Sequence, residues 1–112
     1  MYEFSIGQEK TKINYKVELI GDDLDITITG GKAHIGCIVI ITNNSYNLLN
    51  LPNHREDEII KPFIKKFRNY NKGTILIKAG FHIDDIALNE ITDVLNNNKI
   101  GIKKIEEFLE SI

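Results

Sequence analysis

A chain of 112 residues, 42% of them hydrophobic and 27% charged, with a net charge of −2, suffices for one domain with its own core and is too short for two ordinary ones. The slightly negative balance argues against a nucleic-acid partner, which needs a basic face, and against docking on an anionic membrane. A single cysteine, Cys37, excludes an internal disulfide and fits a reducing, cytoplasmic compartment.

The first elements in chain order read as strands. Tyr2, Phe4 and Ile6 alternate with polar residues, as do Ile13, Tyr15, Val17 and Leu19, and then Leu24, Ile26 and Ile28. Period-two alternation marks a strand with one dry and one wet face. Gly7 to Lys10 and Gly21 to Asp23 supply the turns between them. Cys37 to Ile41 is continuously apolar, which predicts a central strand covered on both faces and a buried, inert thiol. Asn43-Asn44-Ser45 signals a turn, and Tyr46 to Leu51 a fifth strand.

From about Arg55 to Asn71 the period becomes helical, with Ile59, Ile60, Phe63, Ile64 and Phe67 inward and Pro62 imposing a kink or a late start. Thr74 to Lys78 reads as one more strand. Leu88, Ile91 and Leu95 then predict a short helix, and Gly101 to Ile112 another. Strands grouped before helices predict an α+β fold: a mostly antiparallel sheet of about six strands with two or three helices packed on one face. Residues 1 to 20 show no apolar segment of the secretory type, and the run Ile38 to Ile41 is far too short to span a bilayer. The charged run Lys65-Lys66 with Arg68 reads as solvated helix surface.

The three histidines fall at loops or element ends, where binding residues tend to collect. His34 lies in Gly30-Gly31-Lys32-Ala33-His34-Ile35-Gly36, His54 in Pro52-Asn53-His54-Arg55-Glu56-Asp57, and His82 in Ala79-Gly80-Phe81-His82-Ile83-Asp84-Asp85. The glycines permit positive φ and close backbone approach, and successive amides in such a turn can cradle an anion. A helix opening near Asn53 favours an anion, and Arg55 can fork onto a phosphate or carboxylate. Imidazoles beside Glu56, Asp57 or Asp84 can bind a divalent metal or shuttle a proton. Plainer readings stand beside these. A Gly-Gly pair is often just a tight turn, and Asn53 with Glu56 and Asp57 makes a good helix start with no ligand at all. The histidine spacings match no standard zinc or calcium pattern, and Walker loops, GxSxG elbows and CxxC pairs are absent.

Together, "GGKAHIG", "LPNHREDEI" and "AGFHIDDI", in this order and spacing, resemble the small LpdD-like family of prenylated-flavin chaperones encoded near UbiD-type decarboxylases. The resemblance spans roughly residues 15 to 112 of what reads as a single LpdD-like domain over 1–112. Asn53 stands where the family usually has glycine, and Asp85 where it often has asparagine. The resemblance implies a homo-oligomeric protein that binds prenylated FMN for maturation or delivery to a UbiD-type aromatic acid decarboxylase. It implies a phosphate-side loop at Gly30, Gly31, His34 and Gly36. A second binding element would be His54, Arg55, Glu56 and Asp57, and a third His82 and Asp84. A divalent metal on His34, His54 and His82, bridging to the flavin phosphate, is chemically reasonable. Two other functions remain open from the residues alone. One is a small metal-dependent enzyme with Glu56 or Asp84 as base, and the other a non-catalytic interaction subunit whose histidines only finish turns.

Overall fold

The computed structural model describes residues 1–52 and 56–112. Six strands form one sheet: β1 (Tyr2–Ile6), β2 (Ile13–Ile20), β3 (Asp23–Gly31), β4 (Cys37–Thr42), β5 (Ser45–Asn50) and β6 (Ile75–His82). A 3-10 turn at Glu9–Thr11 joins the first two. Among the described residues there are two α-helices, α1 (Asp57–Phe67) and α2 (Leu88–Ser111). In α2, 24 residues long, no window is apolar enough to cross a membrane.

The strand order is β1-β2-β3-β6-β4-β5. Local turns build two antiparallel units. β1, β2 and β3 form a meander, and β4 and β5 a hairpin whose turn residues Asn43 and Asn44 both have positive φ, at 47° and 65°. Such a two-residue turn matches the twist of the paired strands, and asparagine tolerates it better than most residues. After β5, helix α1 carries the chain back, so β6 runs parallel to β3 and antiparallel to β4. The sheet is therefore mixed, not the mostly antiparallel one expected, because alternating apolar residues mark β6 as a strand without saying which gap it fills.

Register places Val17, Ile26, Ile77 and Val39 in line across four strands, with Tyr15, Ile28, Ala79 and Cys37 one step away. All eight are buried on the face that α1 and α2 cover. Burying side chains of this size stabilises each by roughly 1.5–3 kcal/mol before chain entropy is counted. Helix α1 contributes Ile59, Ile60, Phe63, Ile64 and Phe67, as its spacing predicts. It begins at Asp57 rather than near Arg55, with Glu56 in the capping position, and it runs through Pro62. Asn53, the expected cap, lies outside the described residues.

Two further expectations are corrected. β4 is covered on one face only: Ile38 is half-buried, and Ile40 is 43% exposed on the open side of the sheet. The continuous apolar run Cys37 to Ile41 reflects that open apolar surface, not a second layer. The separate helices expected around residues 88–95 and 101–112 are one continuous helix. Its inward stripe is Val94, Asn98, Gly101, Ile102, Ile105 and Leu109, while Leu88 is 83% exposed. Gly101 sits mid-helix because a Cβ there would strike the Tyr15 ring. Asn98 is buried because it accepts from the Tyr15 hydroxyl (2.7 Å) and donates to the Ile59 carbonyl (2.9 Å), tying α2 to both the sheet and the first turn of α1.

Candidate functional site

The parallel strands β3 and β6 end side by side, with Gly31 opposite His82. The segment 32–36 leaves β3 there and folds over the end of β6. The Lys32 N–H donates to the His82 carbonyl (2.9 Å), and the Gly36 N–H to the Ala79 carbonyl (2.9 Å). Between these anchors the His34 backbone lies directly against Gly80, where a Cβ would overlap the His34 carbonyl. Gly80 is thus the position that lets the loop settle on the strand and fixes His34 in space.

Below the loop stands the start of α1. The Glu56 side chain makes no capping bond to its own helix. It turns instead under Gly36, whose missing Cβ leaves room for the carboxylate, and its Oε1 meets His34 Nε2 at 2.6 Å. Glu56 is 6% exposed. His34 Nδ1 lies 2.8 Å from the Lys32 carbonyl. A carbonyl only accepts, so Nδ1 is the donor to Lys32 and Nε2 faces the carboxylate. The result is an imidazole–carboxylate pair whose ring is anchored by the Lys32 carbonyl.

His34 and Glu56 border a cleft of about 840 Å³. Phe81, Ile83 and Ile86 follow along one wall, Ile91 and Val94 of α2 close another, and Lys32, Glu58 and His82 add charged or polar groups. This mix of apolar walls with few polar groups is typical of small-molecule sites, and ligands in open sheets favour the carboxyl ends of parallel strands. His82 is more open than His34, and its Nε2 pairs with Asp84 Oδ1 at 2.9 Å. Asp85 beside it takes a positive φ of 55°.

The structure therefore brings three expected residues, His34, Glu56 and His82, to one cleft. Asp84 reaches it only through His82. Asp57 is engaged elsewhere, pairing with Lys61 at 3.0 Å along α1. Gly30, Gly31 and Gly36 do not line the cleft. A Cβ at Gly30 would meet the Phe81 ring, and one at Gly31, where φ is +60°, the His82 carbonyl. Their role is to let Phe81 and the loop pack. His54 and Arg55 lie outside the described residues. Among the described residues, no group of three or more His, Cys, Asp or Glu could hold a metal ion. Cys37, fully buried, has its thiol pushed up to about 11 by burial and then by the Asp57 and Glu56 carboxylates, so it is the inert thiol expected. The cleft's Ile86, Ile91 and Val94 were not foreseen as site residues; they come from the start of α2, where apolar residues at helical spacing read as ordinary core.

Fold and cleft together define a small α+β protein with a largely apolar cleft bordered by a half-buried imidazole paired with a buried carboxylate. The chain belongs to the prenylated flavin chaperone LpdD-like family, whose domain pattern matches residues 7–110. Protein LpdD of Lactiplantibacillus plantarum is 28% identical over 98 residues, a match covering 81% of this chain and 72% of that protein. A chain in the crystal structure of a chaperone complex for yeast 20S proteasome assembly superposes with a TM-score of 0.61, over 98% of this chain and 94% of that one. At 8% identity that likeness concerns the fold alone.

Proposed function

We propose that this protein binds prenylated FMN in the cleft at the ends of β3 and β6 and delivers it to a UbiD-type aromatic acid decarboxylase, as a chaperone without turnover of its own. The observation that carries the reading is the His34–Glu56 pair at the end of an apolar slot. A flavin ring is planar and largely apolar, with polar atoms along one edge, and it suits walls such as Phe81, Ile83 and Val94. Its phosphate carries about two negative charges near neutral pH. Lys32 is the cation on the described rim of the cleft, and a local cation is needed because the whole chain is net negative. Family membership supports the same assignment.

The test is anaerobic titration of the purified protein with reduced prenylated FMN, with and without added divalent metal, read by absorbance and by native mass spectrometry. Binding is expected, weakened roughly tenfold or more in Glu56→Gln and His34→Ala, since each removes the charge-assisted imidazole–carboxylate contact at the cleft. Transfer to an apo-decarboxylase should then restore decarboxylation. Failure to bind under either metal condition, or full binding by both variants, rules the reading out.

A further inference from the structure

We propose that the groove between α1 and α2 docks an acidic, amphipathic segment of a partner protein. The groove, about 470 Å³, lies between the helices, and Glu56, His34 and His82 do not line it. On α1, Pro62, Lys65 and Lys66 recur at i, i+3 and i+4. On α2, Lys99, Ile102, Lys103 and Glu106 recur at i, i+3, i+4 and i+7. These spacings turn each set onto one helix face. Pro62 and Ile102 supply apolar lining, and four exposed lysines supply the rim. Lys66 is balanced by Glu106 across the groove at 2.9 Å.

Lys65, Lys99 and Lys103 carry no ion pair among the described salt bridges. They concentrate positive charge on a chain whose net charge is −2. Solvation alone would favour spreading like charges apart, whereas an acidic ligand favours gathering them. Among the described residues its lining holds no aromatic ring for base stacking, it contains a carboxylate, and Pro62 with Ile102 suits aliphatic side chains. Those features favour a protein segment over a nucleic acid. The inference is independent of what the cleft binds.

The experiment uses the full chain and a fluorescein-labelled amphipathic peptide of leucine and glutamate, read by anisotropy, with amide NMR shifts to map the contact. Comparators are the same peptide with glutamine for glutamate, and a single-stranded oligonucleotide. The glutamate peptide should bind, moving α1 and α2 amides around Lys65 and Lys103 and leaving those at His34 and His82 still. The triple variant Lys65→Glu, Lys99→Glu, Lys103→Glu should weaken it roughly tenfold or more, since exposed charge contacts add modestly but together. A control triple reversal at Lys12, Lys16 and Lys72, which line no part of the groove, should keep most of the affinity. Absence of binding, an equal loss in the control, shifts elsewhere, or equal affinity for the glutamine peptide or the oligonucleotide overturns the proposal. Failure of this docking would leave flavin binding intact, and failure of flavin binding would leave these shifts unchanged.

Discussion

Replacing Gly80 with alanine puts a methyl group where the His34 carbonyl lies. The obstacle is backbone, held on both sides by the Lys32–His82 and Gly36–Ala79 hydrogen bonds, so it cannot swing aside as a long side chain would. Overpacking of this kind costs about 1–3 kcal/mol, and the lower chain entropy of unfolded alanine offsets at most about 1 kcal/mol of that. Gly80 does not have positive φ, so the substitution adds no backbone strain of its own. Because the clash is with anchored backbone the cost falls at the upper end of that range, and a net loss near 2 kcal/mol lowers Tm by roughly 8 °C in a chain of this length. Thermal unfolding followed by circular dichroism, with urea midpoints as a second measure, reads it directly. Gly36→Ala is the informative companion, since there the new methyl meets the Glu56 carboxylate, the far end of a side chain. It should cost less stability than Gly80→Ala while separating Glu56 from His34. If Gly80→Ala unfolds within about 0.5 kcal/mol of the parent, the loop does not rest on β6 as described.

Asn98→Ala should cost about 1–3 kcal/mol in urea unfolding, because it strands the buried Tyr15 hydroxyl and removes the tie from α2 to the Ile59 carbonyl. In a Tyr15→Phe background the same change should cost measurably less. Gly101→Ala gains up to about 1 kcal/mol of helix propensity but drives a methyl into the Tyr15 ring, so Tm should fall; with Tyr15→Leu the same substitution should raise it. The Cys37 thiol is raised from 9.0 to about 11, so the folded protein keeps a proton that the unfolded chain releases. That stabilisation is complete below pH 9 and is lost as pH rises towards 11, amounting to roughly 1 kcal/mol between pH 9 and 10. Cys37→Ala should flatten the pH dependence of the urea midpoint in that window, and the native thiol should resist alkylation at neutral pH.

All six strands are visible as alternating or apolar runs, and α1 as a helical stripe, because most of them turn that pattern to a single core; β5 is the exception, with Tyr46 and Leu49 exposed. Pairing across long separations leaves no such mark. Ile75 and Ile77 identify β6 as a strand but say nothing of its extension to His82 or of its place between β3 and β4. Residues Asn96 to Asn98 resemble a loop, since asparagine is a poor helix former, and only the tertiary partners of Asn98 explain a helix there. At the site, His34 and His82 stand out from their glycine-bearing contexts and Glu56 from the acidic start of α1, and the structure unites them. The glycines themselves invite a phosphate-loop reading. What they accommodate is Phe81, Glu56 and the loop backbone, contacts that depend on neighbours distant in sequence.

The insertion of β6 between strands made much earlier has a consequence for biosynthesis. Until residues 75–82 emerge, the meander and the hairpin each present a raw edge, β3 on one side and β4 on the other. Unpaired edges invite association with other chains. The last strand to arrive seals both edges at once and, in the same act, lays down the bed on which His34 rests. A nascent or truncated chain therefore cannot display a finished cleft, which makes closure of the sheet a built-in checkpoint between synthesis and competence.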